Sequence, residues 1–194
     1  MRTVVAIVEG DGEVQAFPVL LRRIAATRPE GSEFQVAKAI RVRRDRFINR
    51  PDEMRRMVLL AGAKAGPHGG IIILLDADDD CPAVLGAQLQ TEVKAFVSHL
   101  PIAVVLANRE FESWFIAAAT SIHGVRGFSS VGVECDRCEV PRNAKGLIGR
   151  QMPNGHYSPV SDQAAFTERL DLDQARLNSR SFRKLLTSLD DLLR

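Results

Sequence analysis

Two acidic motifs in this 194-residue chain each follow directly on an apolar run. Val8-Glu9-Gly10-Asp11-Gly12-Glu13 comes after Thr3–Val8, and Leu75-Asp76-Ala77-Asp78-Asp79-Asp80 comes after Ile71–Leu75. Ligands of open α/β sheets bind beyond the carboxyl ends of the strands, so if these runs are neighbouring strands, Glu9, Asp76 and Asp78 meet around one point. Converging carboxylates repel one another unless a proton or a cation neutralises them. One or two carboxylates combined with substrate phosphate are the hard oxygen donors that Mg2+ prefers, and Mn2+ accepts the same set. The pattern therefore predicts a divalent-metal site. Gly10 and Gly12 would let the backbone turn tightly and approach a substrate closely. The plainer reading of Glu-Gly-Asp-Gly-Glu is a turn and a helix cap.

Further residues are candidates for the same chemistry. Glu112, in Glu110-Phe111-Glu112-Ser113-Trp114, follows a third apolar run at Ile102–Ala107 and can reach the same edge. Glu110 and Glu112 are two apart and cannot share one helical face. Glu112 is the preferred ligand because it leaves Phe111 and Phe115 to the opposite, buried face; the alternative is an acidic first turn favoured by the helix dipole. Arginines concentrate between Arg41 and Arg56, where seven of them face three acids for a local net charge of +4 in a chain whose total is +2. Arg41, Arg43, Arg44 and Arg46 are candidate phosphate contacts, which confer affinity and salt dependence without sequence preference. A solvated basic face is the alternative. Cys135-Asp136-Arg137-Cys138 is a single CxxC, and a structural zinc site would need His123, His156 or Cys81 to complete it; reduced thiols are the default.

The scaffold that must hold these residues reads as alternating strands and helices. Thr3–Val8, residues 34–42, Ile71–Leu75 and Ile102–Ala107 are the predicted strands. Between them lie a helix after Gly12 carrying Phe17, Leu20, Leu21 and Ile24, a helix from Pro51 to about Gly66, and helices over Pro82–Leu100 and Glu110–Ser121. Pro18 is compatible with the first helix only near its start. A doubly wound, mostly parallel α/β sheet of about four strands is the expected fold class, with a C-terminal helical extension. The predicted division is a core over 1–123, an irregular insert over 124–160, and a helical segment over 161–194 that packs on the core or on a partner.

Composition excludes several classes. At 45% hydrophobic and 26% charged, the chain is neither disordered nor low-complexity. Its apolar runs fall far short of the ~18–20 residues needed to cross a bilayer, and no Walker-type phosphate loop occurs. Three cysteines, an odd number, and no basic-then-apolar leader predict a cytoplasmic protein. Homo-oligomerisation is left open.

Glu9 in Val-Glu-Gly after the first strand, with Asp76-x-Asp78 after a hydrophobic strand, resembles the Toprim domain of topoisomerases, primases and overcoming-lysogenization-defect nucleases, over roughly residues 1–110. Val8–Leu21, Leu74–Asp80, Arg109–Trp114 and Ser179–Leu185 resemble more narrowly a bacterial family, domain of unknown function 4276, often linked with ATPase partners in phage-defence loci. The Toprim resemblance implies that Glu9 is a general acid/base or metal ligand and that Asp76 and Asp78 hold Mg2+. Glu13 matches a second acid of the nuclease branch, Asp80 extends the metal motif, and Lys145 would neutralise a leaving phosphate as a lysine does in those relatives, a solvated lysine being the alternative. Asp79 is an acid the pattern does not require. The leading expectation is thus a Mg2+-dependent phosphodiesterase acting on nucleic acid. The alternatives are a non-catalytic or conditionally active metal-binding subunit of an ATPase complex and, from the Leu-Asp-Ala-Asp-Asp segment, a nucleotide-sugar transferase.

Overall fold

The computed structural model describes residues 2–29 and 34–194. Its strands are β1 (Arg2–Val8), β2 (Phe34–Val36), β3 (Ile40–Arg41), β4 (Gly70–Asp76) and β5 (Ile102–Ala107). All pairings are parallel, in the order β2-β1-β4-β5, with β3 also on β1. β4 is buried along its whole length, as a strand of unbroken aliphatic residues requires when both faces of the sheet are covered.

The predicted strand over 34–42 is two strands. Val4 pairs with Val36 and Ile7 with Ile40, so three residues of the outer strand lie opposite two of β1. The extra residue makes a bulge that breaks the alternation seen in the sequence. The first helix also differs from expectation. α1 (Asp11–Ala26) runs straight past Pro18. Its missing N–H costs a helix about 3 kcal/mol, a loss offset by the burial of Phe17, Leu20, Leu21 and Ile24 around it.

Helices cover both faces of the sheet. α2 (Arg44–Asn49), α3 (Pro51–Ala65) and α4 (Pro82–Phe96) enclose one core with Val5, Ile7, Ile71, Ile73, Leu75, Val104 and Leu106. α1, α5 (Ser113–Ala117), α7 (Pro159–Arg169) and α9 (Arg180–Leu193) enclose the other with Val4, Ala6, Ile72, Leu74 and Val105. The segment over 124–160 holds short 3-10 turns and α6 (Ala144–Arg150), and it sends Phe128, Ile148 and Tyr157 into that second core. α8 (Leu172–Asn178) links α7 to α9, whose Phe182, Leu185 and Leu189 are fully buried. No helix among the described residues is long and apolar enough to cross a membrane.

Gly12 serves packing rather than substrate approach. A Cβ there would lie 2.4 Å from the Pro159 carbonyl oxygen of α7. Gly12→Ala gains helix propensity, yet forcing α1 away from α7 should give a net loss of about 1–2 kcal/mol. A thermal melt checks this; an unchanged midpoint would show that the α1–α7 contact yields freely.

Candidate active site

Three neighbouring strand ends place the acids. Glu9 follows β1, Asp76 ends β4, and Glu110 and Glu112 lie in the turn between β5 and α5. Glu13, in the first turn of α1, returns its Oε2 to accept a hydrogen bond from the Glu9 N–H at 3.2 Å, one residue ahead of the Gly10 N-cap. The cap and the acidic centre therefore share one side chain. Glu13, Asp76 and Glu112 are 3%, 6% and 0% exposed.

Lys145, from the first turn of α6, sits at the centre of this group. Its ammonium nitrogen lies 3.5 Å from Asp76 Oδ2, 3.6 Å from Glu110 Oε1 and 3.7 Å from Glu112 Oε2. The Lys145 backbone N–H also donates to Glu110 Oε2 at 3.0 Å. The solvated alternative for this lysine is thus replaced by a cation among three carboxylates. Glu110 and Glu112 both precede α5, where no helical-face rule applies, and both face Lys145. Asp76 Oδ1 accepts from the Phe111 N–H at 2.7 Å, tying β4 to this turn. Glu112 Oε1 accepts from Tyr157 Oη at 3.0 Å and Gln163 Nε2 at 2.8 Å. Two buried carboxylate oxygens, Glu9 Oε2 and Glu112 Oε2, have no hydrogen-bond partner among the described residues, the second having only the Lys145 ammonium at 3.7 Å.

Burial, and then mutual repulsion, raises the proton affinity of the cluster. Burial holds Asp76 well above the usual carboxylate range, with Glu13, Glu112 and Glu9 adding to it and Lys145 opposing it. Burial likewise raises Glu9 and Glu112, and pushes Glu13 up to about 7. For Lys145 burial alone would favour the neutral amine, but Glu112, Asp76, Glu110 and Glu13 outweigh it and hold the ammonium above its ordinary value. Folding therefore takes up a proton at Glu13 from its ordinary value of 4.5 upward. That stability is fully present at acid pH and is lost as pH rises through about 7. Without divalent cations, the melting temperature should fall between about pH 5 and pH 8, and Glu13→Gln, which keeps the cap acceptor, should flatten the decline. Denaturation at several pH values tests this; an equal slope in the variant would move the titration elsewhere.

The remaining predicted residues fall around this centre. Asp78 and Asp80 flank Arg44, which lies 3.6 Å from Asp78 Oδ2 and forms a close ion pair with Asp80, and the Asp78 charge adds to the raising of Glu9. Arg44 Nε also donates to the Asp76 carbonyl at 2.9 Å, so it braces the loop. Arg41 donates to the Glu9 carbonyl at 3.2 Å and pairs with Asp11 at 3.0 Å. Arg46 pairs with Glu53 at 2.7 Å, and Arg43 is exposed at the start of α2. Asp79 pairs with Arg109 at 2.7 Å. Asp78 and Arg109 both adopt left-handed backbone, φ 51° and 68°, and interlock the two loops: Asp78 N–H bonds the Arg109 carbonyl at 2.9 Å, and Arg109 Nη1 bonds the Asp78 carbonyl at 3.0 Å. Non-glycine residues held this way store about 1–3 kcal/mol each and cluster at functional sites.

Among the described residues no three His, Cys, Asp or Glu side chains stand together as a ready-made metal site. This applies to the CxxC also, where Cys138 is buried with its thiol pushed up to about 12 by that burial. A Mg2+ ion needs only one or two protein carboxylates when water and phosphate oxygens fill the other positions. The hard donors and the two unpartnered oxygens of Glu9 and Glu112 meet that lesser requirement.

A family model described as domain of unknown function (DUF4276) matches residues 8–190. The chain belongs to this family. The DUF4276 match spans every acid of the cluster, Lys145, and two residues that local sequence patterns did not single out, Tyr157 and Gln163. No curated protein and no solved structure matched the chain. Tyr157 and Gln163 gave no sequence signal because they act on Glu112 from 45 and 51 residues away. Glu110 did give one, since it shares the acidic turn with Glu112.

Proposed function

We propose that this DUF4276 protein is a Mg2+- or Mn2+-dependent phosphodiesterase acting on nucleic acid, with the Toprim-like nucleases as its functional relatives. The observation that carries the reading is the Lys145 ammonium among Asp76, Glu110 and Glu112, because it marks a cation-binding centre at the carboxyl edge of a parallel sheet. Glu9 Oε2 and Glu112 Oε2, which accept no hydrogen bond among the described residues, would hold the metal, the latter giving up its contact with Lys145, with Asp76 beside them. When bound, the ion supplies charge stabilisation to phosphate oxygens and an oriented water. Glu13, whose carboxyl is pushed up to about 7 by burial, is suited to hold or release a proton at neutral pH. Lys145 would neutralise phosphate charge, and Arg43, with Arg41 and Arg46 nearby, would receive flanking phosphates. Asp78 and Asp80 act as braces for the loop through Arg44. Only the family resemblance supports phage defence with an ATPase partner.

The test is incubation of the purified chain with plasmid, single-stranded DNA and RNA in Mg2+ or Mn2+, beside an active-site variant as the contamination control. Metal-dependent cleavage that disappears in the variant is the expected result. The same Lys145 contacts favour one second reading. Because the ammonium already neutralises the carboxylates, the protein could be a subunit that becomes active only when a partner displaces that side chain. No cleavage by the isolated chain, with Mn2+ bound by Lys145→Met more tightly than by wild type, would select it; neither binding nor cleavage by wild type and Lys145→Met alike would remove both.

A further inference from the structure

The sheet ends at β5, and the outer edge of β5 opens into a groove of about 660 Å³ between α4 and the start of α9. The β4–β5 register fixes which peptide groups face it. Ile71 N–H bonds the Pro101 carbonyl and Ala77 N–H bonds the Ala107 carbonyl. Ala103, Val105 and Ala107 therefore turn their peptide groups toward β4, whereas Ile102, Val104 and Leu106 turn theirs outward. Gln90 of α4 already acts as a short substitute strand, donating to the Ile102 carbonyl and accepting from the Val104 N–H, both at 2.8 Å. Beyond it, the Val104 carbonyl and both Leu106 peptide groups have no hydrogen-bond partner among the described residues, although Leu106 is only 3% exposed. Shielded peptide groups without partners are costly, and an open edge is a template for another strand.

The two walls of the groove differ in chemistry. On the α4 side, Pro82, Ala83, Gly86 and Ala87 are small and apolar. On the α9 side, Arg180 and Lys184 are exposed and form no ion pair among the described residues. Glu139 also lines the groove, but its carboxylate is already committed. Oε1 accepts from Ser179 Oγ, Ser181 N–H and Ser181 Oγ, and Oε2 accepts from Asn108 Nδ2.

We propose that this edge docks an extended segment of a partner protein in which apolar and acidic residues alternate. Successive side chains of an added strand point to opposite faces. The apolar ones would meet the small residues of α4, and the acidic ones would reach Arg180 and Lys184, while the backbone pairs with Val104 and Leu106. A second copy of the chain fits poorly, because two-fold pairing of β5 edges would bring both sets of cations to one seam, where like charges repel. The proposal is independent of the chemistry at the acidic centre.

The probe is a fluorescein-labelled peptide of about six residues alternating valine with glutamate, compared with one alternating valine with lysine. Fluorescence anisotropy with the full chain should show binding of the glutamate peptide only. Arg180→Glu with Lys184→Glu should weaken it at least about tenfold and transfer the preference to the lysine peptide. Ala87→Trp, at an exposed groove position, should abolish binding while the melting temperature stays near wild type. Bound peptide should also slow alkylation of Cys81, which is exposed at the rim. No anisotropy change at millimolar peptide, or equal binding by wild type and the charge-reversed variant, would overturn the proposal. So would a wild-type dimer in sedimentation that Ala87→Trp converts to monomer, since the edge would then belong to a second copy.

Discussion

Asp76→Asn should reduce metal-dependent cleavage by at least about 10²–10⁴-fold, the range expected when a group that acts in the transition state is removed. The substitution keeps the volume of the side chain and an oxygen to accept from the Phe111 N–H at 2.7 Å. What changes is the atom facing Lys145, now 3.5 Å from Asp76 Oδ2. An amide NH2 there cannot ligate a cation and would face the ammonium as a second donor. Mn2+ affinity, read by calorimetry or by the loss of free-ion paramagnetic signal, should fall in parallel. Because Asp76 has its carboxyl held well above the usual range by burial, removing its charge should offset part of the cost of turning an amide NH2 toward Lys145, and the apo protein should stay folded. A folded variant that cuts as well as wild type would sink the assignment of this cluster as an active site.

Lys145→Met should produce the second large effect, on stability and on its dependence on metal. The variant leaves Asp76, Glu110 and Glu112 without the cation they share. Removing one partner of a fully buried ion pair costs about 3–5 kcal/mol, but the Lys145 side chain is 40% exposed, so solvent screening reduces the expected loss to about 1–3 kcal/mol. For a chain of this length that is about 2–10 °C in melting temperature at pH 8. Lower pH should restore much of it, because the raised carboxyls then protonate. Added Mn2+ should raise the melting temperature of the variant more than that of wild type if the ammonium occupies the place of the ion. If pH restores stability and Mn2+ does not, the cluster tolerates protons alone and the metal reading fails. Cleavage by the variant separates the two functional readings. A phosphate-neutralising Lys145 predicts loss of activity, whereas a displaceable plug predicts gain.

The strands were legible because their residues leave few alternatives. Ile71–Leu75 can be buried on both faces only within a covered parallel sheet, and Ile102–Ala107 coincides with β5. The acidic edge followed from these strands, since Glu9, Asp76 and Glu112 lie at or just beyond their carboxyl ends. What escaped was set by contacts distant in sequence. Asp78 appeared equivalent to Asp76, but it sits in left-handed backbone beside Arg44, with its charge acting on Glu9. The bulge between β2 and β3 depends on pairing with β1, which alternation within one strand cannot encode. Pro18 obeyed a local rule that burial overrode. The arginine cluster had the composition of a phosphate-binding face, yet Arg44 and Arg46 are engaged by acids of the chain itself.

The order in which the chain contributes to its acidic centre has a consequence for biosynthesis. Glu9 and Glu13 come first, and Asp76 and Glu112 follow, but Lys145, Tyr157 and Gln163 emerge from the ribosome last. A nascent chain that ends before α6 carries Glu13, Asp76 and Glu112, all buried in the finished fold, and none of the groups that neutralise or hydrogen-bond Glu112. Such a fragment cannot close its core around those acids without leaving charge unsatisfied. The centre is thus completed only after the chain has been made through Gln163, so synthesis itself delays the appearance of a competent site.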